Sequence, residues 1–208
     1  MNSHNDAERV GGLLIVAGST VQLIAAALPV WRVFTSSETR VQLEAIASRP
    51  AAWKAQAVGF PVAFTVTGLG FAAVAATMPE RRARRLATAS SVLGLLSVLL
   101  WLPITAKRLD IGRRVDALLV EQPKAIDIGG WSFWPYTLAT LGSILLMGCA
   151  LIVGGLHRRL GVFAVGVSGL ALSLLRIFRD WPPFASYVIT LVIGLGIAKQ
   201  KRSRPTEL

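Results

Sequence analysis

Residues 81–105 read RRARRLATASSVLGLLSVLLWLPIT. Arg81, Arg82, Arg84 and Arg85 lead into an uncharged run, Leu86–Thr105, with Trp101 near its far end. A helix needs about 20 predominantly apolar residues to cross the hydrocarbon core of a bilayer. Lys and Arg concentrate in short cytoplasmic loops, and indole rings gather at the headgroups. The stretch therefore reads as a transmembrane helix entered from the cytoplasmic side.

The same pattern recurs on both sides of it. Six uncharged runs are candidate spans: Gly11–Trp31, Ala57–Met78, Leu86–Thr105, Trp131–Leu156, Leu160–Ile177 and Pro183–Ala198. The last two are short and read as a hairpin turned by Arg179-Asp180-Trp181-Pro182-Pro183. The expected fold is an all-α, polytopic bundle of six spans forming one integral membrane domain over residues 1–208. A basic tail occupies 199–208.

Composition agrees. The chain has 208 residues, of which 53% are hydrophobic and 16% charged, and its mean hydropathy is +0.58. Soluble chains carry about a quarter charged residues, and here the charges cluster between apolar runs. The net charge of +11 is explained by topology, because the basic residues flank spans. No basic stripe with interleaved aromatics lies outside them, so no nucleic-acid partner is expected. Cys149 is the one cysteine and cannot form an intrachain disulfide. His4 and His157 lie far apart in sequence, so neither a metal site nor a cofactor is expected. Met1–Val10 carries Asp6 and Glu8 against Arg9, unlike the basic start of a cleaved signal, so the first run reads as a retained helix.

Orientation follows from the links. Arg81–Arg85, His157–Arg159 and the tail residues Lys199, Lys201, Arg202 and Arg204 fall on one side, together with the N-terminus. Both termini are expected in the cytoplasm, in a plasma-membrane location. The opposite loops hold comparable numbers of Lys and Arg, diluted by Asp and Glu over longer segments. Trp31, Trp53, Trp101, Trp131, Trp134 and Trp181 all fall at the outer side and read as an interface belt.

An internal repeat is expected at an offset of about 74 residues. Leu28-Pro29 aligns with Leu102-Pro103, Arg40-Val41 with Arg114-Val115, and Arg84-Arg85-Leu86 with Arg158-Arg159-Leu160. The hairpin units are 11–85, 86–159 and a shortened 160–198. Each unit crosses twice, so the copies are parallel. The first two outer loops each carry a helical pattern, Arg40–Ser48 and Arg113–Glu121. Thr39-Arg40-Val41-Gln42 fits a capping box. Val41, Val115, Leu118 and Leu119 are expected to face the bundle or the lipid. Pro50 and Pro123 stop these helices. Pro61, Pro135 and Pro183 are expected in first turns, with Pro29 and Pro103 closing their spans.

Candidate chemistry is sparse. Every Asp and Glu falls outside the six runs, which argues against proton coupling and against paired catalytic carboxylates. Gln22, with Ser19 and Thr20, is the most polar point within a span: either a hydrogen bond between helices or a polar point on a solute path. Gly68, Ala72 and Ala76 let another helix approach closely. Arg32, Arg176 and Arg179 are candidate contacts for an anionic headgroup, against the alternative that they snorkel. No catalytic, cofactor or metal residue is expected. The leading expectation is a non-enzymatic accessory or scaffold protein whose partners are the lipid bilayer and a protein docked on the ordered outer face. A facilitator or exporter of a small or lipophilic solute is the alternative. A lipid-headgroup-modifying enzyme, using outer residues such as Asp110 or Asp127, comes third.

Overall fold

The computed structural model describes residues 2–28, 30–155, 157–175 and 184–199, and only the backbone of residues 2–5 and 184. Among them every regular element is a helix, as expected. The helices are α1 (Asn2–Ala27), α2 (Arg32–Thr35), α3 (Thr39–Ser48), α4 (Pro50–Thr77), α5 (Arg81–Arg113), α6 (Val115–Glu121), α7 (Phe133–Val153), α8 (Arg158–Leu174) and α9 (Phe184–Ala198). Asp6–Ala27 of α1 and the whole of α4, α5 and α7 are long and apolar enough to cross a membrane. α8 and α9 have 17 and 15 residues. At 1.5 Å per residue they reach about 26 and 22 Å, short of a hydrocarbon core of roughly 30 Å.

The helices overrun the uncharged runs. α4 starts at Pro50, not Ala57, and α5 continues past Thr105 through Lys107, Arg108 and Asp110. A run of uncharged residues ends at its first charge, whereas a helix ends where its hydrogen bonds do. Two prolines expected at span ends therefore lie inside helices, Pro61 in α4 and Pro103 in α5. A proline inside a helix frees the carbonyl one turn earlier. At Pro61 that carbonyl belongs to Ala57, and the Thr105 hydroxyl of α5 donates to it at 3.0 Å. Pro50 occupies the first turn of α4, directly after Arg49 closes α3.

Neighbouring long helices follow the order α9, α1, α4, α5, α7, α8. Small residues set the closest approaches. A Cβ added at Gly70 would lie 2.9 Å from the Gly11 carbonyl, and one at Gly161 would lie 2.6 Å from that of Gly148. These clamp α4 on α1 and α8 on α7. Gly68 plays the expected role within the chain: its added Cβ would meet Leu95 of α5 at 2.9 Å. The last two helices do not pair tightly. They touch each other only slightly, while α8 lies along α7 and α9 along α1. The turn proposed between them lies outside the described residues.

The two ends of the bundle differ. The basic end carries the α4–α5 link and the α7–α8 turn, where Glu8 and His157 pair at 3.0 Å. Glu8 is thus a buried carboxylate within α1, 6% exposed, not a residue beyond the first span. The other end is a cap. Val30, Val33, Leu43, Ile46, Trp53, Ile111 and Val115 form its own small core. Both loop helices form where the pattern placed them. Val115 is buried and Val41, Leu118 and Leu119 are partly buried. Burying a Val, Leu or Ile against water contributes about 1.5–3 kcal/mol each, enough to order so small a cap.

The capping box does not form. Glu38 is the cap residue of α3 and makes no side-chain capping bond. The Gln42 amide donates to the Ser36 carbonyl at 2.8 Å, and the Thr39 hydroxyl donates to Lys124 at 3.0 Å. Thr39, expected to satisfy the helix end, instead joins the two outer loops, and Gln42 ties α3 to the turn before it.

Candidate functional site

Two layers of the bundle hold polar groups that packing alone does not require. The first lies midway along it. Gln22 on α1 donates its amide to the Thr67 hydroxyl of α4 at 3.2 Å. Ser19 donates to Thr190 of α9 at 2.8 Å. Ser90 of α5 and Ser143 of α7 each donate to the other's carbonyl at 2.7 Å. Between these helices is a cavity with about 30 Å³ of room for water centres, whose wall is mostly apolar, with Phe64, Phe71 and Ile144 beside Gln22, Thr67 and Thr190. A water needs roughly 10–15 Å³ on this measure, so about two waters fit. Gln22 thus forms the bond between helices that the sequence allowed, and it also lines the cavity.

Above the cavity is an aromatic layer. Phe60, Phe64, Trp101, Tyr136 and Tyr187 pack together, with ring centroids 4.5 Å apart for Trp101 and Tyr136. The hydroxyls of Tyr136 and Tyr187 face each other at 3.4 Å. Trp101 and Trp53 are each 1% exposed. They are core residues, not members of an interface belt. Trp31, Trp131 and Trp134 are exposed at the same end, and Trp181 lies outside the described residues.

The second polar layer is Arg108, between the aromatic layer and the cap. It is 4% exposed. Its guanidinium lies 5.1, 5.8 and 5.0 Å from the ring centroids of Phe34, Trp53 and Trp101. Trp53 Nε1 donates to the Arg108 carbonyl at 2.7 Å, which fixes this turn of α5 against α4. The Arg108 side chain makes no ion pair among the described residues, and Nε and Nη1 are buried without a hydrogen-bond partner. Trp101 Nε1 beneath it is buried and unpaired too.

Three other cations at this end are paired. Lys107 bonds Asp127, Arg40 bonds Glu44, and Arg114 lies near Asp110 and Glu121. The Lys107 hydrogen bond, then the Gly130 amide, hold the Asp127 carboxyl below its ordinary range. A cation over an aromatic face gains about 0.5–2 kcal/mol, whereas a buried ion costs several kcal/mol in lost hydration. Three rings partly offset that cost and supply no acceptor.

The residues singled out in the sequence do not form one site. Gln22 lines the cavity. Arg32 is exposed on α2. Arg176 and Arg179 lie outside the described residues. Arg108 was missed, although its spacing held a signal. Trp101, Ile104, Arg108, Ile111 and Val115 recur every three or four residues and all are buried. An arginine in such a seam faces inward.

Four helices long and apolar enough to cross a membrane give the class, a helical membrane protein. Compared with known protein families, curated proteins and solved structures, the chain matches none.

Proposed function

We propose that this is a non-enzymatic plasma-membrane protein of six crossings that binds and passes a small polar solute through its interior. The observation that carries this reading is the cavity between α1, α4, α5, α7 and α9, with a mostly apolar wall into which the Gln22 amide and the hydroxyls of Thr67, Ser143 and Thr190 are set. Those hydrogen bonds alone would hold the helices together, so the room left for water beside them is what favours passage over simple packing. Six crossings are supported by direction. α8 starts at the basic end, and Ala198, closing α9, packs beside Gly12 near the start of α1. Under this reading both termini are cytoplasmic and the cap faces outward. The hairpin repeat is supported for its first two units, since α1 packs along α4 and α5 along α7, whereas α8 and α9 of the shortened third unit touch only slightly.

Two experiments test this. Reporter fusions after Arg85, Arg159 and Leu208 should all read cytoplasmic, and an external signal at Leu208 refutes six crossings. In liposomes holding the purified chain, stopped-flow light scattering should show faster entry of water or urea than in empty liposomes. Gln22→Leu combined with Thr67→Val should reduce that excess severalfold. Flux equal to that of empty liposomes refutes carriage.

The accessory-protein reading has its own support in the joined cap helices, which offer an ordered face to a protein partner. A stoichiometric partner recovered in mild detergent, and lost when Val115 and Leu119 are both changed to Asp, would favour it. The lipid-modifying reading gains nothing from the described residues. Asp110 and Asp127 are exposed and held by Arg114 and Lys107.

A further inference from the structure

Among the described residues the Arg108 layer lacks an acceptor. Three nitrogen donors, Arg108 Nε and Nη1 and Trp101 Nε1, are buried in it without a hydrogen-bond partner. Of the described carboxylates of the cap, Asp127 pairs with Lys107, Asp110 and Glu121 with Arg114, and Glu44 with Arg40, while Glu38 and Asp116 are exposed. Natural structures seldom leave buried donors unmet, and a buried charge is ordinarily paired. The rings do not compete with a partner in the plane of the guanidinium. They offer it only π-electron faces, whereas carboxylates and phosphates accept hydrogen bonds from its N–H edge.

Depth narrows the partner. Arg108 lies 24 positions beyond Arg84 on the unbroken helix α5. At 1.5 Å per residue that is about 36 Å along the axis. A bilayer is roughly 30 Å of hydrocarbon within 40–45 Å overall. With Arg84 among the headgroups of one leaflet, Arg108 stands at the phosphate level of the other. Access is short. Phe34, on the four-residue α2, covers the guanidinium and is itself 48% exposed.

The geometry points to Arg108 as the anchor of a phosphate-type oxyanion that enters beside Phe34 and accepts from Arg108 and the Trp101 indole. Its source is a lipid headgroup or free phosphate, and the chemistry is shared. This site lies on the cap side of the aromatic layer and does not depend on carriage through the cavity.

The test uses the full chain purified in a neutral detergent and phosphate-free buffer. Tryptophan emission and thermal unfolding are followed against inorganic phosphate, dioctanoyl phosphatidic acid and dioctanoylglycerol. Trp53 and Trp101 flank the guanidinium, so occupancy should change emission saturably and raise the unfolding temperature. Dioctanoylglycerol, with the same tails and no phosphate, should do neither. Phosphatidic acid binding at least tenfold tighter than inorganic phosphate identifies a lipid source, and equal affinities a free anion. Arg108→Gln should weaken binding tenfold or more. Should that variant fail to fold, Trp101→Phe keeps the ring, removes one donor and should cost a few-fold. No saturable response to either phosphate probe overturns the proposal. So does an unchanged affinity in both variants. Solute flux is measured separately, so loss of flux with phosphate binding intact refutes carriage alone.

Discussion

Replacing Thr105 by Val keeps the shape of the side chain and deletes one hydroxyl. That hydroxyl serves the Ala57 carbonyl, which Pro61 deprives of its usual amide. Hydrogen bonds between helices in membranes contribute about 0.6 kcal/mol on average and up to about 1.7. A buried acceptor left without a donor costs about 1–3 kcal/mol. Ala57 is fully buried, so Thr105→Val should destabilise the bundle by about 1–2 kcal/mol. Pro61→Ala returns an N–H to position 61, one turn beyond Ala57. In that background Thr105→Val should cost under about 0.5 kcal/mol, because the carbonyl keeps a donor. The coupling in this double-mutant cycle is then about 1 kcal/mol, well above the additivity error for independent sites. Unfolding in mixed dodecyl maltoside and SDS micelles, followed by far-ultraviolet circular dichroism, measures all four proteins. Equal costs in the two backgrounds would refute the claim that the hydroxyl replaces the amide.

Two further outcomes follow from the packing and the cap. Gly161→Ala places a Cβ 2.6 Å from the Gly148 carbonyl, so α8 must move off α7. The expected loss is about 1–3 kcal/mol, visible as faster proteolysis of the α7–α8 turn, whereas Gly166→Ala, with open space around it, should leave digestion unchanged. Asp127 has a depressed folded pKa. Its contribution is therefore complete above the unfolded value of about 3.9 and is lost as pH falls through the folded value. The group is mostly exposed, so the effect is small. Amide protection at Ile128–Gly130, taken relative to the intrinsic exchange rate at each pH, should fall below that value, and Asp127→Asn should show the lower protection already at neutral pH with little further change in acid.

How much of this was written in the sequence depends on the kind of signal. Apolar runs such as Leu86–Thr105 located the long helices because a bilayer forbids unpaired charge over a fixed length. The same reasoning misplaced their ends. It treated Lys107 and Lys54 as loop residues, although a helix leaving the hydrocarbon has no reason to stop. Periodicity found α3 and α6, because their apolar faces meet water on one side only. The capping box failed because Thr39 had a use across the loops, on the Lys124 carbonyl, which local spacing cannot reveal, and Gln42 turned back to the Ser36 carbonyl. Arg108 was passed over for a different reason. Counting charges outside the spans hid the fact that one of them occupies the buried face of α5. Glu8 was hidden likewise, since its partner His157 is 149 residues away.

The return of α9 to α1 also bears on how the protein is made. Ser19 and its partner Thr190 are separated by 171 residues. At roughly 5–20 residues per second, the ribosome adds Thr190 about 9–34 s after Ser19. Once α4 has been made, α1 has it on one flank, while the flank carrying Gly12 and Ser19 still lacks α9. The last of the described helices thus closes the assembly against the first. A chain truncated before α9 is left with a polar, glycine-notched flank, the kind of surface by which membrane quality control recognises an orphan.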